Sequence, residues 1–226
     1  MNLHKLTLLL CFLTFTASAQ KIRVACIGNS ITYGFAIEDR EHDSYPAQLQ
    51  QLLGDDYEVG NFGLCGATAQ KEGDLPWTST QQYQDAKAFA PHIAVIKLGT
   101  NDSKARNWLD AKRLINSLEA IAEEFESLPS HPRIIIALPA KAYKFMFSIR
   151  DSIIYNYELP AIKQMAQKHH WHLIDLYKAT DKMPECFPDG IHPNPQGAAV
   201  IARKVKKAVK KEARKVNNLP LATPSS

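Results

Sequence analysis

Apolar and polar residues follow two periodicities along the chain. Short apolar runs rich in β-branched residues predict five strands. They are IRVACI (22–27), YEVGNFG (57–63), HIAVIKLG (92–99), RIIIALP (133–139) and HLIDL (172–176). The fourth run is apolar almost throughout, as expected for a strand that helices cover on both faces.

The segments between these runs predict helices. The clearest spans 109–125, where Leu114, Leu118, Ile121 and Phe125 recur at spacings of three and four. Further helices are predicted in 44–54, around 86–89, over 151–169 with a break at Pro160, and from Pro195 onward. This alternation predicts an α/β protein with a parallel sheet that helices cover on both faces.

The two ends of the chain differ in composition from its body. Lys5, the apolar run LTLLLCFLTF and the small residues Ala17-Ser18-Ala19 have the layout of a secretory signal peptide. We therefore predict a signal peptide over 1–19 cleaved near Ala19, one domain over 20–215 and a disordered tail over 216–226. The expected location is secreted or periplasmic, without stable insertion in a membrane.

The net charge of +4 does not describe the body of the protein. Eight of 27 basic and one of 23 acidic residues lie between Arg203 and Lys215, and Lys5 lies in the predicted leader. The remaining 18 basic and 22 acidic residues give 20–202 a formal charge of −4. This argues against nucleic acid as a partner, and the basic stretch is interpreted as the solvated face of a terminal helix.

Three cysteines follow the predicted leader. Cys26 lies in the first strand and is expected to be a buried apolar side chain. The sequence leaves open whether Cys65 and Cys186 pair, because spacing along a chain does not fix a distance in space.

Polar groups follow four of the predicted strands. Ser30 comes directly after the first, Gly66 lies in NFGLCGAT after the second, and Asn101 lies in GTND after the third. Asp189 and His192 lie in FPDGIHPN, beyond the fifth. Ligands of such sheets bind at the carboxyl ends of the strands, so these groups are expected to meet there.

These residue types suit acyl transfer. A serine hydroxyl becomes a nucleophile when a histidine accepts its proton and a carboxylate orients that histidine. Ser30, His192 and Asp189 can provide these three groups. An oxyanion also needs fixed donors, for which we expect the backbone N–H groups of Ser30 and Gly66 and the side-chain amide of Asn101.

The Ser, Gly, Asn and His blocks, in this order and at these strand ends, resemble the SGNH hydrolases of the GDSL esterase/lipase family. The resemblance covers nearly all of the chain after the leader and implies an α/β fold, a flavodoxin-like three-layer α/β/α sandwich with a five-stranded parallel sheet. It also implies the same triad and oxyanion hole, with no metal or organic cofactor. One departure is visible, because Asn29 stands where the family often has aspartate. Lys97 is also unusual for a central strand, and a carboxylate beyond the strand end is the expected partner.

GNSITYG, NFGLCGAT, IKLGTNDSKARNW and CFPDGIHPN are most similar to bacterial carbohydrate O-acetylesterases, including sialate O-acetylesterases and enzymes of plant polysaccharides. The expected partner is an acetylated carbohydrate; the oligomeric state stays open. Aromatic residues at Trp77, Trp108 and in KAYKFMF (141–147) are candidates to line a sugar site. The alternatives are a lysophospholipase or thioesterase of the same fold and a non-catalytic glycan-binding module.

Overall fold

A computed structural model describes residues 20–216; the predicted signal peptide and all but the first residue of the predicted tail lie outside this range. The strands are β1 (Ile22–Gly28), β2 (Tyr57–Gly63), β3 (Ile93–Lys97), β4 (Arg133–Ala137) and β5 (His172–Ile174). The first α-helices are α1 (Ser30–Tyr33), α2 (Arg40–Asp43), α3 (Tyr45–Leu53), α4 (Gln81–Ala88) and α5 (Ala111–Glu126). They are followed by α6 (Asp151–Ile153), α7 (Leu159–Lys168), α8 (Leu176–Thr180) and α9 (Pro195–Val216).

The strands form one parallel sheet in the order β2-β1-β3-β4-β5. The predicted fold class is thereby confirmed. The chain first crosses from β1 to the β2 edge and then returns past β1 to β3, so strand order reverses at β1. Such a reversal opens a crevice at the carboxyl ends of the strands on either side of it.

Two apolar layers hold the helices against the sheet. One layer is formed with α4, α5 and α7, and the predicted face of α5 lies in it, with Leu114, Leu118, Ile121 and Phe125 all buried. The other layer is formed with α3 and α9. The helix α5 begins after Asp110, whose carboxylate accepts a hydrogen bond from the N–H of Arg113 at 2.8 Å and so caps the first turn.

The segment predicted as a helix broken at Pro160 contains α6, a π-helical stretch (Ile154–Glu158) and α7. Pro160 lies in the first turn of α7, and the helix continues through it from the π-helical stretch rather than breaking. The wider π turn directly before it accommodates the ring and turns Glu158 into the protein interior.

The helix α9 is amphipathic, as expected. It buries Val205 and Val209 against the sheet and presents most of its lysine and arginine side chains to solvent. Within residues 20–216, no helix combines the length and the apolar character needed to cross a membrane.

The described cysteines Cys26, Cys65 and Cys186 are all free thiols. Two histidines of the HHWH stretch pair with carboxylates of different helices: His169 with Glu119 of α5 at 2.8 Å, and His172 with Glu212 of α9 at 3.1 Å. Among residues 20–216, no three His, Cys, Asp or Glu side chains are grouped so that they could hold a metal ion.

The backbone of α1 lies directly against the end of β2. A Cβ atom at Gly63 would lie 2.2 Å from the backbone nitrogen of Tyr33 and 2.7 Å from the carbonyl carbon of Thr32. Only glycine allows this approach. The position of α1, which begins with Ser30, therefore depends on Gly63.

We expect Gly63→Ala to lower the free energy of unfolding by about 1–3 kcal/mol, because the added methyl meets backbone rather than a side chain that can rotate. Gly60→Ala on the same strand is the matched control, since its Cβ would meet the ring edge of Phe62 at 2.5 Å. Urea unfolding of both variants measures the difference. Equal losses would show that the approach to α1 has no special cost.

Candidate active site

Ser30 is the first residue of α1, directly beyond the carboxyl end of β1. Asn29 caps this helix: its Oδ1 accepts a hydrogen bond from the N–H of Ile31 at 3.2 Å. Gly34 ends the helix in the left-handed conformation, so Ser30 lies on a single tight turn. The turn is mostly buried, and only 8 % of Ser30 is exposed.

His192 reaches Ser30 from the loop that precedes α9. Its Nε2 lies 2.8 Å from Ser30 Oγ, and its Nδ1 lies 2.6 Å from Asp189 Oδ2. The other oxygen of Asp189 accepts the N–H groups of Ile191 and His192 at 2.8 and 2.7 Å. The carboxylate therefore fixes both the loop and the tautomer in which Nδ1 carries the proton and Nε2 can accept one.

Burial is the main factor that favours the neutral form of His192. Burial lowers its pKa below the usual 6.5; the hydrogen bond and charge of Asp189 oppose this, and the cations Lys97 and Lys104 lower it further. Burial tends to raise the pKa of Asp189, but its hydrogen bonds from the loop and from His192 outweigh burial and leave it lowered. A neutral imidazole beside an ionised carboxylate is the state that a general base requires.

Gly66 and Asn101 lie in the loops that follow β2 and β3. Gly66 has a φ of +85° and Asn101 is 3 % exposed. The Asn101 side chain donates one N–H to the carbonyl of Ala67 at 3.0 Å, which ties the β2 and β3 loops together. The structure therefore brings all five sequence-predicted site residues to the carboxyl edge of the sheet.

Asp102 supports this arrangement, although sequence analysis gave it no role. Its buried carboxylate accepts the N–H groups of Ala69 and Gln70 at 3.0 and 2.7 Å, holding the loop that contains Gly66. Burial raises the pKa of Asp102 to about 6, although these N–H groups oppose the rise. Glu158 is also buried, and burial together with the charge of Asp102 raises its pKa well above the usual range. The available signal for Asp102 in the sequence was its position directly after Asn101 in GTND.

Lys97 has a different partner from the one expected. It is fully buried, and its Nζ lies 3.3 Å from Asn29 Oδ1, so the expectation of a carboxylate partner is wrong. Burial without a compensating anion lowers the pKa of Lys97 to about 7. Asn29, the departure from the family pattern, is thus the residue that connects Lys97 to the turn of Ser30.

The three expected aromatic positions have different outcomes. Trp77 is fully buried between Tyr83 and Phe125, and its Nε1 donates to the carbonyl of Phe62 at 3.0 Å. The expectation that Trp77 lines a sugar site is therefore wrong, because its ring packs in the hydrophobic core. Trp108 is half-buried against Tyr157, and its role stays a prediction. The KAYKFMF segment reaches the site through Phe147, whose ring centre lies 5.4 Å from that of His192.

The sequence profile of the GDSL-like Lipase/Acylhydrolase family matches residues 26–200. The chain belongs to this family, as the motifs at the strand ends led us to expect. It is 38% identical over 210 residues to a protein of Xylanibacter ruminicola named acetylxylan esterase, with 84% of this chain and 43% of that protein covered. A GDSL esterase/lipase of Arabidopsis thaliana is 25% identical over 150 residues, covering 58% and 59%. The chain thus spans about half the length of these relatives.

Solved structures share the fold. A carbohydrate acetylesterase family member from Sinorhizobium meliloti superposes with a TM-score of 0.69 at 20% identity, covering 88% of this chain and 100% of that one. An aryl esterase of M. smegmatis gives a TM-score of 0.71 at 18% identity, with 84% and 99% covered. At such identities the likeness concerns the fold alone.

Lys97→Met is expected to stabilise the protein at pH 7 by about 1–4 kcal/mol, because it removes an uncompensated buried amine. The unfolded lysine binds a proton up to pH 10.5, whereas the folded one releases it near pH 7. The cost of Lys97 is therefore fully present below pH 7 and disappears as the pH rises toward 10.5. The gain from the methionine should shrink over the same interval.

Urea unfolding at pH 6, 7 and 9.5 measures this dependence. Lys204→Met, on the exposed side of α9, is the control and should change stability by less than about 0.5 kcal/mol. A loss of stability in Lys97→Met at every pH would mean that the contact with Asn29 outweighs the cost of burial.

Proposed function

We propose that this protein is an exported serine esterase that removes O-acetyl groups from carbohydrates. The observation that carries the proposal is the continuous hydrogen-bonded chain from Ser30 Oγ through His192 to Asp189, with distances of 2.8 and 2.6 Å. Membership of an acylhydrolase family and a relative named acetylxylan esterase support it. A non-catalytic glycan-binding module, the alternative, would not need these hydrogen bonds between Ser30, His192 and Asp189.

In the first half of the reaction, Ser30 Oγ attacks the acetyl carbonyl carbon while its proton passes to His192 Nε2. The negative charge that forms on the carbonyl oxygen faces the N–H groups of Ser30, Gly66 and the Asn101 side chain. Collapse of this intermediate breaks the bond to the sugar oxygen, which takes the proton from His192. The products are an acetyl-serine and the free sugar hydroxyl.

In the second half, water takes the place of the sugar. His192 Nε2 accepts a proton from the water as its oxygen attacks the acetyl-serine, and then returns that proton to Ser30 Oγ. Acetate leaves and the serine is restored. Asp189 stays ionised throughout and stabilises the imidazolium form of His192 in both halves. The sequence of steps needs neither a metal ion nor an organic cofactor.

Among acetylated carbohydrates, we propose an acetylated plant polysaccharide of the xylan type as substrate. The relative of X. ruminicola carries the name of that activity and is the more similar of the two curated relatives described above. Acetylated sialic acid is the alternative sugar, and long-chain acyl esters are the alternative class. Export rests on the signal-peptide pattern of residues 1–19.

Ser30→Ala should lower acetate release by about 10³-fold or more, because the hydroxyl forms the covalent intermediate. Ser127→Ala, at the exposed end of α5, is the matched control and should keep full activity. Acetate is measured with acetylated xylan, acetylated pectin and O-acetylated sialic acid. Near-normal turnover by a folded Ser30→Ala protein would contradict the mechanism.

The same preparations should be assayed with nitrophenyl esters of increasing acyl length. The proposal expects acetate to be preferred to chains of eight or more carbons. The reverse preference would favour the lysophospholipase or thioesterase reading, and activity on sialic acid but not on xylan would change the proposed sugar.

The pH dependence of kcat/KM tests the state of His192. The base must be neutral, and its pKa in the folded protein is lowered below 6.5. The value of kcat/KM should therefore exceed half of its plateau at pH 6.5 and fall to half only at a lower pH. Circular dichroism at each pH separates loss of activity from loss of structure. A half-maximum above pH 7 would contradict the inferred environment of the imidazole.

A further inference from the structure

Two exposed phenylalanine rings flank the imidazole of His192. The ring centre of Phe35 lies 4.6 Å from that of His192, and the ring centre of Phe147 lies 5.4 Å from it. The two phenylalanine rings approach each other edge to face, with centres 6.4 Å apart. Although both contact the buried His192, 41 % of Phe35 and 49 % of Phe147 are exposed. They therefore form an apolar wall that is partly exposed to solvent.

The loop that presents Phe147 is fixed at both ends. At its beginning, the N–H of Tyr143 donates to the carbonyl of Gly190 at 2.7 Å, next to the His192 loop. At its end, Arg150 donates from its backbone and its guanidinium to Ser103 at 3.1 and 2.7 Å. The aromatic tip is thus attached to both the β3 loop and the His192 loop.

The backbone at the tip is strained. Phe147 and Ser148 have φ values of +53° and +62°, a left-handed conformation that is unfavourable for residues with a Cβ. Consecutive residues of this kind persist only where the surroundings impose them, and they concentrate at functional sites. In this conformation the ring of Phe147 lies beside the imidazole, while the neighbouring Phe145 is 75 % exposed.

The direction of the proposed reaction decides which part of the substrate meets this wall. The proposed oxyanion donors Gly66 and Asn101 lie in the loops after β2 and β3, whereas the two phenylalanine rings contact His192. The leaving oxygen must lie at His192 Nε2, because that atom returns the proton to it. The rings beside the imidazole therefore contact the alcohol portion of the ester rather than its acyl chain.

We propose that Phe35 and Phe147 form a leaving-group subsite that stacks against the C–H face of the pyranose ring carrying the acetyl ester. Aromatic faces are electronegative and attract the weakly positive C–H groups that line one side of such a sugar. This inference rests on the proposed function. It adds that selectivity for a sugar ring over a small acyclic alcohol arises at these two rings.

Phe147→Ala and Phe147→Leu test the subsite. Each variant is assayed for kcat and KM with a methyl O-acetyl-β-xylopyranoside, with ethyl acetate, which has the same acyl group without a ring, and with phenyl acetate. We expect Phe147→Ala to lose roughly fivefold or more kcat/KM on the xyloside relative to ethyl acetate, chiefly through KM. Phe147→Leu should lose less, because it retains apolar bulk.

Tyr155→Ala is the matched control, since Tyr155 is also an exposed aromatic residue but packs on Tyr177 rather than on His192. It should keep the wild-type ratio of the two substrates. Thermal unfolding of each variant checks that the fold is unchanged.

An equal loss on all three esters, or no loss, would overturn the subsite while leaving the esterase proposal intact. A loss confined to phenyl acetate would also overturn it, because the wall would then select aryl alcohols. If the wild-type protein cleaves ethyl acetate but not the xyloside, the carbohydrate part of the proposed function fails and this inference with it. If it cleaves none of them, the esterase proposal itself fails.

Discussion

The hydrogen bond between Ser30 Oγ and His192 Nε2 joins two residues 162 positions apart, and the arrangement of the sheet makes it possible. Ser30 follows the strand at which strand order reverses, whereas His192 lies in the loop that returns the chain to its last helix. The bond requires β1 to lie between β2 and β3, α1 to rest on Gly63, and α9 to pack beside α3. Packing far from the site therefore sets a distance of 2.8 Å within it.

The polar groups beneath the site oppose this packing. Lys97, Asp102 and Glu158 are all fully buried. Burial lowers the pKa of the lysine and raises the pKa of both carboxyl groups, so it favours the neutral form of each. Asp102 recovers part of the cost because it accepts two backbone N–H groups of the loop that holds Gly66. Asp102 thus fixes the β2 loop relative to the β3 loop, which an apolar residue at this position could not do.

Local patterns predicted the fold well, because strand and helix periodicity depend on each residue's nearest neighbours. The apolar face of α5 is an example, with all four predicted residues buried. The site residues at the strand ends could also be predicted from the sequence, because a parallel sheet brings those ends together. Contacts between residues that are far apart in the sequence could not be predicted in this way. Trp77 was misassigned because a core aromatic and a surface aromatic look alike in sequence, and the partner of Lys97 depends on the spacing of β1 and β3.

The contact between Asn29 and Lys97 gives the departure from the family pattern a physical meaning. An aspartate at position 29 would neutralise the lysine, whereas the amide accepts its hydrogen bond without cancelling its charge. The remaining positive field contributes to the lowered pKa of His192 and so favours the unprotonated imidazole. Lys97 therefore destabilises the fold but helps to lower the pKa of His192. Asn29 preserves this effect because it contacts the lysine without neutralising it.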